Sequence, residues 1–246
     1  MLLKKNEVNL SGGLTANQNK RSSSFVCEAS YSSTISTIRT GQSQNLAVVG
    51  SNAVFKRIFD ILFSLTAIFI LSPVLVIISL LVKTSSPGPI IFKQNRHGLN
   101  NEEISVWKFR TMSVMEDGED VKQAKKNDVR ITQVGKYLRM TSLDELPQFF
   151  NVLFGSMSVV GPRPHAVAHN QYYRTRIDSY VTRHIVKPGI TGLAQVKGAR
   201  GETETIDKMV LRLNYDLEYI EKWNLWLDIQ IVCVTIFKGF YNNNAY

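Results

Sequence analysis

Cysteine is scarce in this chain, with Cys27 in a polar stretch and Cys233 in an apolar one as the only two among 246 residues. That scarcity argues against a disulfide framework, and zinc-type spacing is absent. The opening residues, MLLKKNEVNLSGG, have no apolar run of the kind a secretory signal needs. A Walker loop and a dinucleotide fingerprint are missing too. The acids Glu116, Asp117, Glu119 and Asp120 lack the spacing of an EF-hand loop, so no calcium site is assigned to them. Acidic residues as a class are in deficit, with 20 Asp and Glu against 29 Lys and Arg and a formal net charge of +9. Such an excess points to an anionic partner: nucleic acid, an acidic membrane surface or a phosphorylated substrate.

Residues 1–52 are rich in Ser, Thr, Asn, Gln and Gly and read as a disordered polar tail. At Lys56–Arg57 the character changes. From Ile58 to Val82 the only charge is Asp60. This run of about 25 residues would reach roughly 37 Å as a straight helix, against a bilayer core of about 30 Å. Two features complicate simple spanning. Ser72–Pro73 falls near the centre, and both flanks are basic, with Lys56 and Arg57 before and Lys83 and Lys93 after. A kinked spanning helix satisfies the pattern. So does a helix-break-helix hairpin that enters and leaves by one face, with Ser72 serving backbone groups that Pro73 frees. Asp60 is costly against lipid, so Lys56 or Arg57, one turn back, is expected to pair with it near the interface as a structural contact.

Thr84–Pro89 reads as an exit loop, followed by two short strands, Ile90–Lys93 and Ile104–Phe109. The resulting hairpin displays Lys93, Arg96, Lys108 and Arg110, either as a solvated rim or as phosphate ligands. The organising stretch is TSLDELPQFFNVLFGSMSVVGPRP, Thr141 to Pro164. Ser142 and Glu145 have the form of a capping box, with Pro147 in the first turn of the helix it would open. Asp144 then lies among unsatisfied N–H groups at the positive end of the dipole, a place that favours a carboxylate or a phosphate. Arg163, between two prolines, can grip phosphate through paired hydrogen bonds. By itself this stretch favours plain capping over chemistry.

His165 and His169 are four apart without the glutamate of a zinc protease motif, and no metal is assigned to them. The glycine-punctuated segment 184–202 carries Lys187, Lys197 and Arg200 and can wrap a nucleotide. Thr203–Lys222 has a helical pattern, and Trp223–Phe240 reads as a helix lying in the headgroups. The expected fold class is α+β and mainly helical, with a small β-hairpin. Its parts are the tail, a membrane segment at 53–86 and a catalytic or binding domain at 87–246.

Taken in order, KRIFD (56–60), Ser72–Pro73, SPGP (86–89), KFRTM (108–112), TSLDELPQ (141–148), VVGPRP (159–164) and KPGITGLAQ (187–195) carry a resemblance. From about Phe55 to Tyr246 the chain is similar to the bacterial sugar transferases, the monotopic polyprenyl-phosphate phosphoglycosyl transferases. The resemblance implies transfer of a sugar 1-phosphate from a UDP-sugar to a membrane polyprenyl phosphate, with release of UMP. It implies a re-entrant hairpin in the bacterial inner membrane, with the catalytic domain on the cytoplasmic face. It maps Asp144 onto the covalent nucleophile, Glu145 onto a Mg²⁺ ligand and Arg163 onto substrate phosphate. Arg96, Lys108, Arg110, Arg139, Lys187 and Arg200 are further phosphate candidates, while Ser72, Pro73, Lys56, Arg57 and Asp60 would shape the membrane hairpin. GARGETETIDKM (198–209) and YNNNAY narrow the match to undecaprenyl-phosphate glucose phosphotransferases, hence to UDP-glucose, undecaprenyl phosphate and exopolysaccharide synthesis. Longer members carry extra membrane helices and a further domain ahead of this unit. Nucleic acid is not an expected partner, and self-association into a homo-oligomer is left open. The alternative is a membrane-tethered module that binds anionic lipid or nucleic acid without catalysis.

Overall fold

A long run of apolar residues must be buried or enter lipid, and here it forms one helix, α1 (Gly50–Ser85), with Pro73 inside it. The computed structural model describes residues 50–113, 128–177, 179–201, 203 and 205–241. The acids at 116–120 and residues 1–49 of the tail lie outside them. Among the described residues, α1 is the one helix long and apolar enough to cross a membrane. Pro73 has no N–H to give the carbonyl four residues back. The Ser72 hydroxyl donates to that carbonyl, on Phe69, at 2.8 Å. The helix is therefore continuous through Ser72–Pro73 and not divided there. Its middle is bare, with Phe69 82% exposed and Ile70 66%.

Both ends of α1 are tied down. Near the start, the Lys56 ammonium meets Asp228 at 2.6 Å, the Val160 carbonyl at 3.1 Å and Asp60 at 3.5 Å. Asp60 also accepts from the Ser158 hydroxyl and the Val159 N–H. All three charged groups are buried. The Lys56–Asp60 pair expected at the interface is instead sealed inside a protein junction. Arg57 donates to the carbonyls of Val152 and Leu153 at 2.6 and 2.8 Å, in the last turn of a neighbouring helix. That is where a cation suits the unsatisfied carbonyls. Near the far end, Ile78 and Val82 pack with Phe109 and Leu138.

The β-hairpin is present and longer than its sequence signal: β1 (Ile91–His97) pairs antiparallel with β2 (Glu103–Phe109), Ile91 opposite Phe109. After it come α2 (Gln133–Thr141), a 3-10 turn at Leu143–Glu145 and α3 (Gln148–Phe154). Next are β3 (Ser158–Val160), α4 (Val167–Arg174), a 3-10 segment at Tyr180–Ile185 and β4 (Gly189–Thr191). The chain closes with the short α5 (Leu193–Val196), α6 (Ile206–Lys222) and α7 (Leu225–Tyr241). β3 and β4 are parallel, with Ser158 opposite Gly189 and Val160 opposite Thr191. This pairing lays VVGPRP against KPGITG so closely that a Cβ on Gly189 would sit 2.1 Å from the Gly161 nitrogen. Only glycine permits such an approach. α6 buries Met209, Leu213, Leu217 and Ile220, the three-to-four spacing of a core-facing stripe.

Candidate active site

The acid pair stands where two helices are interrupted. Ser142 ends α2 in the left-handed region, at φ 59°, and gives its N–H to the Arg139 carbonyl. An N-cap residue needs extended backbone. Ser142 therefore does not form the capping box with Glu145, and its hydroxyl accepts from Arg200 at 2.6 Å. Asp144 and Glu145 occupy the 3-10 turn between α2 and α3, each 8% exposed.

The two carboxylates have different surroundings. Arg163 grips Glu145 with both terminal nitrogens, Nη1 at 3.0 Å from Oε2 and Nη2 at 2.5 Å from Oε1. Lys108 adds a third bond to Oε1 at 2.8 Å. Burial alone would push Glu145 up, but Arg163 and Lys108 hold its carboxyl well below the usual carboxylate range. At Asp144 the balance runs the other way. Burial and then the charge of Glu145 push its carboxyl up to about 6, against the fields of Lys108, Arg139 and Arg163.

Arg96 and Arg139 flank the pair. Arg96, brought in by β1, donates to the Pro164 carbonyl and to Gln94 at 2.7 Å. Burial and then nearby Arg163 lower its pKa to about 10. Arg139 bonds the Thr111 hydroxyl at 2.9 Å and faces Asp144 electrostatically. Arg200 reaches the site through Ser142. Two other candidates lie elsewhere. The Arg110 guanidinium is spent on the carbonyls of Pro89, Val82 and Ser86, where it closes the end of α1. Lys187 stands with Arg57 beside Gly155, at the opposite end of α3 from Asp144. Burial and then Arg57 lower its pKa.

The acid pair offers hard oxygen donors of the kind Mg²⁺ takes, although both Glu145 oxygens already accept from Arg163 and Lys108. Among the described residues no group of three or more His, Cys, Asp or Glu could hold a metal. Mg²⁺ does not need one, because it binds through one or two carboxylates and completes its octahedron with water and phosphate oxygens.

A second cluster went unread in the sequence: Arg183, Asp216, Arg212 and Tyr180, with His165 at its centre. Both nitrogens of the His165 ring face protein groups. The one signal for it was a pair of charged residues, Arg212 and Asp216, interleaved with the apolar stripe of α6.

Residues 51–242 match the family described as bacterial sugar transferase. A UDP-glucose:undecaprenyl-phosphate glucose-1-phosphate transferase of Klebsiella pneumoniae is 60% identical over 197 residues, which cover 80% of this chain and 42% of that protein. A Caulobacter vibrioides protein of the same name is 49% identical over 193 residues, covering 78% of this chain and 72% of the relative. An exopolysaccharide production protein of Rhizobium leguminosarum is 46% identical over 187 residues, 74% of this chain and 94% of the relative. The chain thus spans less than half the length of the Klebsiella relative and nearly all of the Rhizobium one.

Proposed function

Because the chain belongs to the bacterial sugar transferase family, we propose that it moves glucose 1-phosphate from UDP-glucose to undecaprenyl phosphate, releasing UMP, through a covalent phosphate on Asp144. The observation that carries this reading is the asymmetry of the acid pair. Three donor contacts from Arg163 and Lys108 converge on Glu145, while Asp144 keeps a carboxylate pushed up to about 6 and still mostly ionised at neutral pH. A carboxylate in that state can serve as a nucleophile.

In the first displacement an Asp144 oxygen attacks the phosphorus that bears glucose. The new O–P bond forms as the bond to the bridging oxygen breaks, and UMP leaves with the electron pair. In the second, a phosphate oxygen of the lipid attacks the same phosphorus and the Asp144–phosphorus bond breaks, which restores the carboxylate. Each step brings anion to anion, so positioning and charge neutralisation do most of the catalysis. Lys108, Arg163, Arg139 and Arg96 supply fixed positive charge around the pair. Glu145 would hold Mg²⁺ by giving up part of its contact with Arg163 and Lys108, and the divalent charge would lower the repulsion between carboxylate and phosphate.

The bare middle of α1, with both of its ends fastened to the domain that carries the acids, supports a re-entrant, monotopic placement. Exposed Trp226, Ile236 and Phe237 support α7 lying in the interface. Soluble UDP-glucose and the lipid phosphate would then meet at the cytoplasmic face of the inner membrane. The name of the Rhizobium relative supports a place in exopolysaccharide synthesis. The test is UMP release from a panel of UDP-sugars with undecaprenyl phosphate and Mg²⁺. UDP-glucose is expected to give release that Asp144→Asn abolishes. No release with any sugar, from wild-type protein shown to be folded, contradicts the proposal and favours a non-catalytic, anion-binding membrane module.

A further inference from the structure

Behind the Pro162–Pro164 turn lies a buried polar cluster that the reaction above does not use. Arg183, from the 3-10 segment, and Asp216, from α6, are each 2% exposed, with Nη2 and Oδ2 2.7 Å apart. The same Nη2 donates to the Arg163 carbonyl at 2.8 Å. Arg183 Nη1 lies 3.3 Å from the Tyr180 hydroxyl and 3.1 Å from His165 Nδ1. The Tyr180 hydroxyl donates to Asn170 Oδ1 at 2.6 Å and sits 2.9 Å from His165 Nδ1. On the far side of the ring, Arg212 Nη1 is 3.1 Å from Nε2. Arg212 also donates to the Ala199 carbonyl at 2.8 Å and to that of Gly201 at 2.5 Å.

The ring is neutral: burial, then Arg183 and Arg212, hold His165 well below its ordinary value. A neutral imidazole offers one donor and one acceptor. Nε2 accepting from Arg212 leaves Nδ1–H to donate to the Tyr180 hydroxyl, an assignment made from the partners. Arg183 Nη1 then donates to Tyr180, while Arg183 Nε and Asn170 Nδ2 stay buried without a hydrogen bond. A buried ion pair is weak as a device for stability, since well-packed apolar residues of similar volume do as well. What apolar residues cannot do is hold the Arg163 carbonyl. The next carbonyl, of Pro164, is held by Arg96. The backbone on the C-terminal side of Arg163 is therefore clamped at two successive carbonyls, while its side chain reaches Glu145.

We propose that Arg183 and Asp216 are positioning residues for Arg163, fixing its turn so that the guanidinium meets Glu145 and the substrate phosphate. His165 and Arg212 extend the same frame to the Ala199–Gly201 backbone that carries Arg200. This rests on the phosphate-binding role of Arg163 in the proposed reaction. None of the four touches the reacting atoms.

The experiment compares R183M/D216L, which removes the pair together and leaves buried Arg212 with its Ala199 and Gly201 carbonyl partners, with wild type, with Arg163→Ala and with the two combined. Thermal unfolding, UMP release and hydrogen exchange of segment 159–166 are measured on the full chain in detergent. The expected result is cooperative unfolding within a few degrees of wild type but kcat lower by about 100-fold, as small misplacements of substrate-binding groups produce. Exchange in 159–166 rises while the rest of the chain is unchanged. In the Arg163→Ala background the pair costs less than about threefold more, because coupled residues are not additive. Turnover within about threefold of wild type, losses that multiply in the Arg163→Ala background, or unchanged exchange in 159–166 overturns the proposal. Should the apolar pair fail to fold, Arg183→Lys keeps a charge opposite Asp216 but not the forked grip, and the same coupling and exchange results decide. A wild type without UMP release sinks the reaction, while the exchange arm still decides whether the pair holds this turn.

Discussion

At the residue scale the central fact is that two neighbouring carboxylates are treated differently by their surroundings. Glu145 is neutralised by Arg163 and Lys108, and its charge in turn works with burial to raise Asp144. An acid whose folded pKa is raised keeps its proton longer in the folded chain than in the unfolded one. Its contribution to stability is therefore present below the unfolded value of 3.8 and lost as pH rises through about 6. Magnesium-free Asp144→Asn should lack that loss. Its unfolding midpoint, relative to wild type, should climb between pH 4 and 6.5 by the equivalent of about 2–3 kcal/mol. Parallel pH profiles for the two proteins would count against the raised carboxyl. The acid pair and Arg163 stood out in the sequence as one stretch, while Lys108 read equally as a solvated rim or a phosphate ligand. The pairing of Arg163 and Lys108 with Glu145 came only from the structure, because nothing in DE says which carboxylate an arginine eighteen positions away will take. Ser142 misled because Ser-x-x-Glu is a statistical signature, whereas the left-handed backbone that ends a helix is set by tertiary packing around it. Arg110 misled for a simpler reason: β2 stops at Phe109, so Arg110 turns away from Lys108 toward the end of α1.

At the element scale, α1 is fastened by charge at one end and by apolar packing at the other. Lys56 is the cation between two buried acids, Asp60 and Asp228, and the Tyr219 hydroxyl lies 2.9 Å from Asp228 and 3.0 Å from the Val160 carbonyl. Lys56→Met removes the ammonium that bonds both acids and takes the buried counter-charge from Asp228. The expected cost is about 3–5 kcal/mol, the usual range for orphaning a buried charge. It is read as a lower unfolding midpoint in detergent at neutral pH. A change below about 1 kcal/mol would mean that the junction is no more than a surface-type pair. The apolar character of α1 was plain in the sequence, though the helix runs Gly50–Ser85 and not Ile58–Val82, and the β-hairpin and α6 each had enough residues to show a period. The parallel β3–β4 pair did not. Three residues per strand are too few to show a period, and the contact is fixed by the close approach of Gly161 to Gly189, which only the folded chain reveals.

At the scale of the whole molecule, the tied ends of α1 and the +9 charge are the features that the proposed placement against an anionic membrane surface would use. Re-entry makes a topological prediction. With Cys27 and Cys233 changed to serine, single cysteines at Ser51 and Thr84 should both resist an impermeant maleimide in intact spheroplasts and label only after permeabilisation. Labelling of either one in intact cells would mean that α1 spans the bilayer. The most direct test of the central claim is the mass of the Asp144 peptide after incubation with UDP-glucose and Mg²⁺ in the absence of lipid acceptor. The account predicts a gain of one hexose phosphate on Asp144, matched by one equivalent of UMP, discharged by undecaprenyl phosphate and absent in Asp144→Asn. Turnover with acceptor present but no adduct in its absence, or an adduct on another residue, would contradict it.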